Sequence, residues 1–437
     1  MKKITLILSL VLILALTSVT AFAQTTNEII VSIDSVKVNF DENTGSPFVD
    51  ENYRTLVPFR KSLETYGASV EWDNETRIAT AVKGDIQVEV PIDKNYITVN
   101  GQEKATDTAA KIVNGRTYLP IRAVIEAFGS SVEWDQNLST VVITTIPVDA
   151  KAILTKANSL SSDWKNYDAD IKVNMSMPIK DDAGSVQTVN MNMKMYMTLF
   201  TDPSLKAKIN SSFVMNLMGQ DASQPVMDMY MVADKKSFTT YMGTVGQDGK
   251  LTWMKSTVED EIFASLFTNN KEAIKENQEL SEKYMKDVKY FGKYTDASGR
   301  TLQKLQYTIS GEIYKEIFGK YAEIMPASEN EQDAMVLEMM KDLANGNFGD
   351  ITAVIYINEL SGEIVKYEMD LSDIMSSMMS GMTEMLGTIP ANEMEMLKQM
   401  KVSMSMEYLN INKAADFKIP EEALNAPEVT EAAEVTQ

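Results

Sequence analysis

"VNMNMKMYMTLF", Val189 to Phe200, places methionine at every second position, Met191, Met193, Met195 and Met197, with Asn192, Lys194 and Tyr196 between them. Alternate residues of a β-strand point to the same side, so this stretch reads as a strand with one apolar and one polar face. The period of two predicts the four thioethers on the inner face of a curved sheet, with Asn190, Asn192, Lys194 and Tyr196 turned away. Similar beads recur at Met175 and Met177, at Met227, Met229 and Met231, and at Met404 and Met406. Three readings fit such a stripe. It can be ordinary sheet-face packing, or a surface that re-packs around varied apolar guests, because methionine is flexible and polarizable. It can also be a soft-metal site, since thioethers select Cu(I).

The strand rhythm extends to both sides. Period-two runs occupy 171–177, 189–197, 205–215, 227–231, 238–242 and 251–254, parted by turn residues at Asp181, Thr201 and Gly246. An amphipathic helix over 148–166 precedes them, with Ile153, Leu154, Ala157 and Leu160 on one face. Helices are read after them at 258–267, 271–285, 314–325 and 331–343, with a hairpin at 290–309. Late strands fall at 351–357, 364–371 and 402–411. Two Met-rich segments flanking Pro390, Met378–Met385 and Asn392–Met400, read as packing or lid helices. "FKIPEEAL" (Phe417–Leu424) closes the region, and the acidic, small-residue tail at 425–437 reads as disordered.

A long helix, a meander of amphipathic strands, inserted helices and a closing "IPEEA" together resemble the LolA-like lipoprotein-carrier family. The resemblance implies a curved antiparallel half-barrel sheet packed with helices over 150–424, its concave face holding acyl chains or another hydrophobic guest. Met175, Met177, Met191, Met193, Met195, Met197, Met227, Met229 and Met231 would line that face. The lipobox cysteine of many relatives is missing here, because the chain has no cysteine.

The N-terminal third carries a repeat. "YRTLVPFRKSLETYGASVEWDNETRIATAV" (Tyr53–Val82) returns 62 positions later as "GRTYLPIRAVIEAFGSSVEWDQNLSTVVIT" (Gly115–Thr144). Each copy reads strand, helix, strand. Pro58 and Pro120 stand where a helix can begin without losing a needed N–H, and Gly67 and Gly129 stand where it ends. Trp72 and Trp134 alternate with carboxylates, which predicts equivalent core anchors with Glu71, Asp73, Glu133 and Asp135 toward solvent. Arg60 and Arg122 each precede a glutamate by four residues, the weaker order on an isolated helix, which predicts a tertiary partner such as Asp73 or Asp135.

These motifs, with "ITVNG" (Ile97–Gly101) between them, resemble the copper amine oxidase N-terminal-like domain, a stalk module of secreted and surface proteins of Gram-positive bacteria. The resemblance spans about 28–146, with repeats at about 36–90 and 97–146. It implies a module, not an oxidase. The catalytic domain of those oxidases needs three histidine ligands, and this chain has no histidine; its "NYDA" at Asn166–Ala169 also lacks the second tyrosine of the quinone motif.

Composition narrows the function further. Without histidine or cysteine, imidazole metal sites, Ser-His-Asp and Cys-His catalysis and disulfides are excluded. A net charge of −21 repels nucleic acid and anionic membranes. Met1-Lys2-Lys3, an apolar run and Ala21-Phe22-Ala23 spell a signal peptide over 1–23, and no later stretch is long and apolar enough to span a bilayer. "DENTGSPFVDE" (Asp41–Glu51) offers oxygens, but Ser46 stands where a calcium loop needs glycine.

The expectation is therefore an α+β chain: a duplicated small strand–helix–strand stalk module followed by a curved antiparallel half-barrel packed with helices. It is expected to be a non-catalytic secreted or surface protein of the cell envelope with no cofactor and no metal site. Its expected partners are a lipid or other hydrophobic molecule and a cell-wall polymer, with no nucleic acid. The alternative is an extracellular Met-based Cu(I)-binding protein.

Overall fold

The computed structural model describes residues 28–136, 138–180, 186–217, 220–234, 236–245, 250–259, 271–324, 331–346, 348–377 and 399–428. The expected signal peptide, almost all of the two segments flanking Pro390, and the last residues of the acidic tail lie outside the described residues. The chain is mixed α+β and rich in strand. It divides into two compact units, one made of Ala23–Ala152 with Lys289–Leu305, the other chiefly of Ile153–Val288 with Gln306–Gln437.

The first unit begins with β1 (Ile30–Ile33), β2 (Val36–Lys37), β3 (Phe48–Val49), β4 (Thr55–Pro58) and α1 (Phe59–Tyr66). It continues with β5 (Ser69–Asp73), β6 (Ile78–Lys83), β7 (Ile86–Pro91), β8 (Tyr96–Val99), β9 (Gln102–Ala105) and β10 (Lys111–Val113). Then come β11 (Arg116–Pro120), α2 (Ile121–Ala127), β12 (Ser131–Asp135) and β13 (Thr140–Thr144). The opening strands of the two sequence repeats pair with each other, Leu119 opposite Val57 in the β10-β11-β4-β3 sheet. Their closing hairpins go to different sheets, β5-β6-β7-β8-β9 and β12-β13-β1-β2.

Both helices are short and end alike. The Gly67 and Ala68 N–H groups donate back to Glu64 and Leu63, and those of Gly129 and Ser130 to Glu126 and Ile125. This closure needs a left-handed residue, and Gly67 (φ 89°) and Gly129 (φ 83°) supply it without a Cβ penalty. One core receives both helices: Phe59, Leu63 and Tyr66 pack with Ile121, Val124 and Ile125, all buried. Tyr66 and Ser130 hydroxyls share a buried 2.7 Å hydrogen bond between the two repeats.

The second unit follows α3 (Ala150–Ser161) with β14 (Asn166–Lys180), β15 (Val186–Phe200), β16 (Lys206–Leu217), β17 (Gln220–Ala233), β18 (Ser237–Val245) and β19 (Leu251–Glu259). Next come α4 (Lys271–Tyr284), then β20 (Met285–Thr295) and β21 (Thr301–Ile309), whose Lys289–Leu305 stretch belongs to the first unit, then α5 (Glu312–Ile324) and α6 (Glu331–Asn345). The series ends with β22 (Ile351–Asn358), β23 (Ile364–Asp370), β24 (Lys401–Leu409) and α7 (Glu421–Leu424). One sheet of eleven strands runs β19-β18-β17-β16-β15-β14-β24-β23-β22-β21-β20 and curls into a half-barrel. The helix expected from Val258 begins instead as strand: Val258 lies in β19 opposite Phe238, and the residues after Glu259 lie outside the described set. Among the described residues, no helix is long and apolar enough to cross a membrane.

Candidate functional site: the methionine face of the sheet

Residues directly opposite in an antiparallel pair share a face, so the register decides what the methionines meet. Met197 stands opposite Ala169 on β14 and Ile209 on β16; Ile209 in turn faces Met229 on β17. That row continues through Met242 on β18 to Met254 on β19. Met195 aligns with Ile171, which faces Met406, and Met193 aligns with Val173, which faces Met404 and, one strand on, Met369. Met191 is opposite Met175, and Met177 is opposite Val189. Met227 and Met231 flank the first row opposite Ser211 and Ala207. Methionines remote in sequence thus become neighbours on one side of one sheet.

Enclosure is not uniform along this face. Met197, Met195, Met229 and Met231 are buried, with Met197 wholly inaccessible, as are Met404 and Met406. Met175, Met177, Met191, Met193 and Met227 are only half-buried. The intervening Asn190, Asn192, Lys194 and Tyr196 are exposed. The stripe therefore runs from core at its Met197 end to accessible apolar wall at its Met191 end.

The opposite face is built differently. Tyr230, between Met229 and Met231, packs with Tyr241, Trp253 and Ala423 of α7, with Phe417 and Ile419 against them. Gly243 makes this possible, because a Cβ there would come within 2.9 Å of the Trp253 ring. The closing "FKIPEEAL" segment thus covers aromatic side chains on the face away from the methionines. A depression of ≈ 290 Å³ near the middle of β14–β16 is bordered largely by polar-face residues, including Lys172, Lys194 and Tyr196.

An aromatic group adjoins the methionine rows. Trp164 meets Tyr167 and Tyr408 edge to face at 5.6 and 4.9 Å, and Tyr408 meets Tyr367 at 6.0 Å. Burial pushes the phenols of Tyr167, Tyr307, Tyr367 and Tyr408 above the ordinary tyrosine range. These four lie on four strands separated by up to hundreds of residues, so no local motif brings them together. Their signal was the period of two: Tyr408 continues the Met404–Met406 alternation, and Tyr167 continues Ala169–Ile171.

The repeat anchors in the first unit serve packing. Pro58 and Pro120 are buried at the strand–helix junctions, and each is the residue before its helix. Arg60 Nη1 donates to the Val70 carbonyl at 3.2 Å and to Glu64 at 3.3 Å; Arg122 does the same to Val132 and Glu126. The arginines therefore tie helix to following strand through a backbone carbonyl, and Asp73 and Asp135 are not their partners. Trp72 and Trp134 pack against the core but remain half-buried at its rim, since edge strands β5 and β12 leave one flank uncovered.

The carboxylates of the two copies part company. Glu71 and Asp73 are exposed, as expected, but Asp135 is buried at 4% exposure and Glu133 is half-buried. The cause is the return segment Lys289–Leu305 of the same unit. Lys304 Nζ reaches Asp135 Oδ2 at 2.6 Å and Lys289 Nζ reaches Glu133 at 3.1 Å. Lys304 is itself buried, so this is an enclosed ion pair. Among the described residues, no group of three or more acidic, histidine or cysteine side chains is placed to hold a metal ion.

Comparison with known proteins bears on the first unit. Residues 32–143 match the profile of the Copper amine oxidase N-terminal domain. A "Protease inhibitor" of Brevibacillus choshinensis is 29% identical over 109 residues, which is 25% of this chain and 33% of that protein. The chain thus spans about a third of the length of this relative. Among solved structures, a DUF1329 family protein from Desulfovibrio piger is similar over 62% of this chain and 96% of that one, at 8% identity and a TM-score of 0.18. A likeness that slight defines no shared fold.

Proposed function

We propose that this is a non-catalytic protein of the Gram-positive cell envelope, exported by the signal peptide over 1–23. A stalk module at 28–146, duplicated within itself, is followed by a LolA-like half-barrel at 150–424 that binds a hydrophobic ligand or an apolar envelope partner. One observation carries the reading: the methionine face passes from enclosed to half-buried along the same strands, Met197 and Met195 giving way to Met193 and Met191. A face built only as core would be closed along its length. Thioethers suit a wall that must accept guests of varied shape, because an unbranched side chain re-packs at low cost. The match of residues 32–143 to a non-catalytic stalk domain supports the non-enzymatic half of the reading.

Uptake of an apolar fluorophore by the full chain tests it. Met193→Glu should abolish uptake while leaving the first unit folded, and Met193→Leu should retain it, since volume and apolarity are conserved. Uptake unchanged in Met193→Glu would remove the face from consideration as a binding wall.

A second reading is supported by a separate observation. Met229, Met242 and Met254 stand in direct register on three adjacent strands, a row of thioethers of the kind Cu(I) favours. Stoichiometric Cu(I) uptake that Met242→Leu abolishes, with no uptake of the fluorophore, would favour the metal.

A further inference from the structure

The first unit holds a cleft of ≈ 520 Å³ that the packing role of its repeats does not explain. Its walls are the start of α1, the Trp72 side of β5, the β10–β11 hairpin and the loop around Asn43. Pro58, Trp72 and Ile112 give it an apolar strip, and Ile112 is exposed. Around that strip stand two amides, Asn43 and Asn74, and two hydroxyls, Thr44 and Thr117. Three cations line it, Arg60, Lys61 and Arg116, against Glu64, which pairs with Arg60, and the Asp41 carboxylate of the adjoining loop, which lies in the field of Lys61. In a chain of net charge −21 this is a locally positive hollow.

The wall is built in advance. Asp41 Oδ1 accepts the N–H groups of Asn43 and Thr44 at 2.9 and 2.8 Å, and Arg116 Nε donates to the Asn43 carbonyl at 2.9 Å. Gly45 lies so close to Tyr118 that a Cβ would come within 2.2 Å of its hydroxyl, and its φ of +78° also requires glycine.

The second repeat separates what the fold needs from what it does not. Arg60, Glu64 and Trp72 return as Arg122, Glu126 and Trp134, so they belong to the shared packing. Lys61 returns as Ala123 and Asn74 as Gln136, so those two are free of that duty. The Trp134 indole N–H is satisfied within its own copy, by Gln136 Oε1 at 2.8 Å. Among the described residues no such bond is made by Trp72.

We propose that this cleft binds an acidic saccharide, a sugar ring lying on the Trp72 indole and a carboxylate meeting Lys61. An indole offers a flat apolar face with a polar N–H handle, which suits the C–H face of a pyranose ring and a neighbouring hydroxyl. Flanking amides and hydroxyls match a ligand rich in hydroxyl groups, and the volume lies within the ordinary range for small-ligand sites. The positive rim selects the acidic member of that class, since electrostatic complementarity sets specificity more than raw affinity. The site lies wholly within the first unit and does not depend on the methionine-face reading.

Titration calorimetry of the full chain with tetragalacturonate, and with neutral cellotetraose as control, tests the proposal. Saturable binding of tetragalacturonate is expected, weakening as salt is raised, with cellotetraose at least about tenfold weaker, a gap of about 1.4 kcal/mol. Lys61→Glu should lower affinity for tetragalacturonate at least about tenfold, or 1.4 kcal/mol, with an unchanged melting curve. Trp134→Phe should leave binding as it is. No saturable binding of either sugar, equal binding of both, or Lys61→Glu without effect would each overturn the assignment. Tighter binding of an oligoglutamate of equal charge would overturn it in favour of an acidic peptide.

Discussion

Ser69–Asp73 and Ser131–Asp135 are the same five residues, Ser-Val-Glu-Trp-Asp, on strands that follow equivalent helices. In the first copy Glu71 and Asp73 face water; in the second, Asp135 is enclosed by Lys304 and Glu133 is paired with Lys289. The two ends of the methionine stripe differ in the same way. Met197 and Met193 occupy like positions of one strand, yet one is inaccessible and the other half-buried. Sequence period decides which face a side chain joins. What lies on that face decides whether it is core, ion pair or open wall.

The largest test of this contrast is Met197→Glu. A carboxylate at a fully enclosed apolar site with no partner should cost at least about 4 kcal/mol and melt the sheet unit. Met193→Glu should leave the melting transition of that unit almost in place. Equal melting of the two variants by circular dichroism would erase the difference between the ends of the stripe.

Next in size is the ion pair. Asp135→Ala removes the carboxylate that pairs with the buried Lys304 ammonium and should cost on the order of 3–5 kcal/mol. Asp73→Ala, at the matching position, loses only turn hydrogen bonds from Glu75 and Thr76 and should leave the transition close to wild type. Denaturant unfolding followed in the first unit reads both, and equal losses would show that the enclosure of Asp135 contributes nothing.

The tyrosine group gives a pH test confined to the sheet. Their phenols titrate above the ordinary value of 10.0 because burial disfavours phenolate. A raised folded-state pKa means the stabilisation is complete below pH 10 and is lost as pH rises beyond it. Thermal scans should therefore show the sheet unit weakening above about pH 10, the ordinary tyrosine range, while Tyr408→Phe blunts that fall. A flat alkaline profile would mean the cluster is hydrated.

The smallest effect has the opposite sign. Ser62 is fully buried in α1, and among the described residues its hydroxyl has no hydrogen-bond partner; the matching residue of α2 is the buried Val124. Ser62→Val should stabilise the first unit by about 1 kcal/mol, the unsatisfied-hydroxyl penalty less the helix cost of a β-branched residue. A lower melting temperature would mean the hydroxyl is satisfied in solution.

Much of the fold was legible because it rests on local period and turn chemistry. The alternation through Met191–Met197, the glycine helix stops at Gly67 and Gly129, and the strands from Ile351 to Leu409 all follow from residues near one another in the chain. What stayed hidden depends on distant partners. Nothing around Asp135 announces Lys304, 169 residues on, so its burial had no local sign. Arg60 and Arg122 hold backbone carbonyls, which carry no residue identity for a sequence to display. The tyrosine group and the alignment of Met197 with Met229 through Ile209 required the register of the sheet. The short apolar run at Val258 does not distinguish a strand's end from a helix's beginning, so the end of β19 has no local sign.

The central claim is that the half-buried end of the methionine face holds an apolar guest. Mass spectrometry of an organic extract of the full chain, purified natively without detergent, tests it most directly. The account predicts a lipid-like or other apolar species near one per chain, lost in Met193→Glu and retained in Met193→Leu. An empty extract, together with stoichiometric Cu(I) uptake that ends in the Met242→Leu variant, would contradict it.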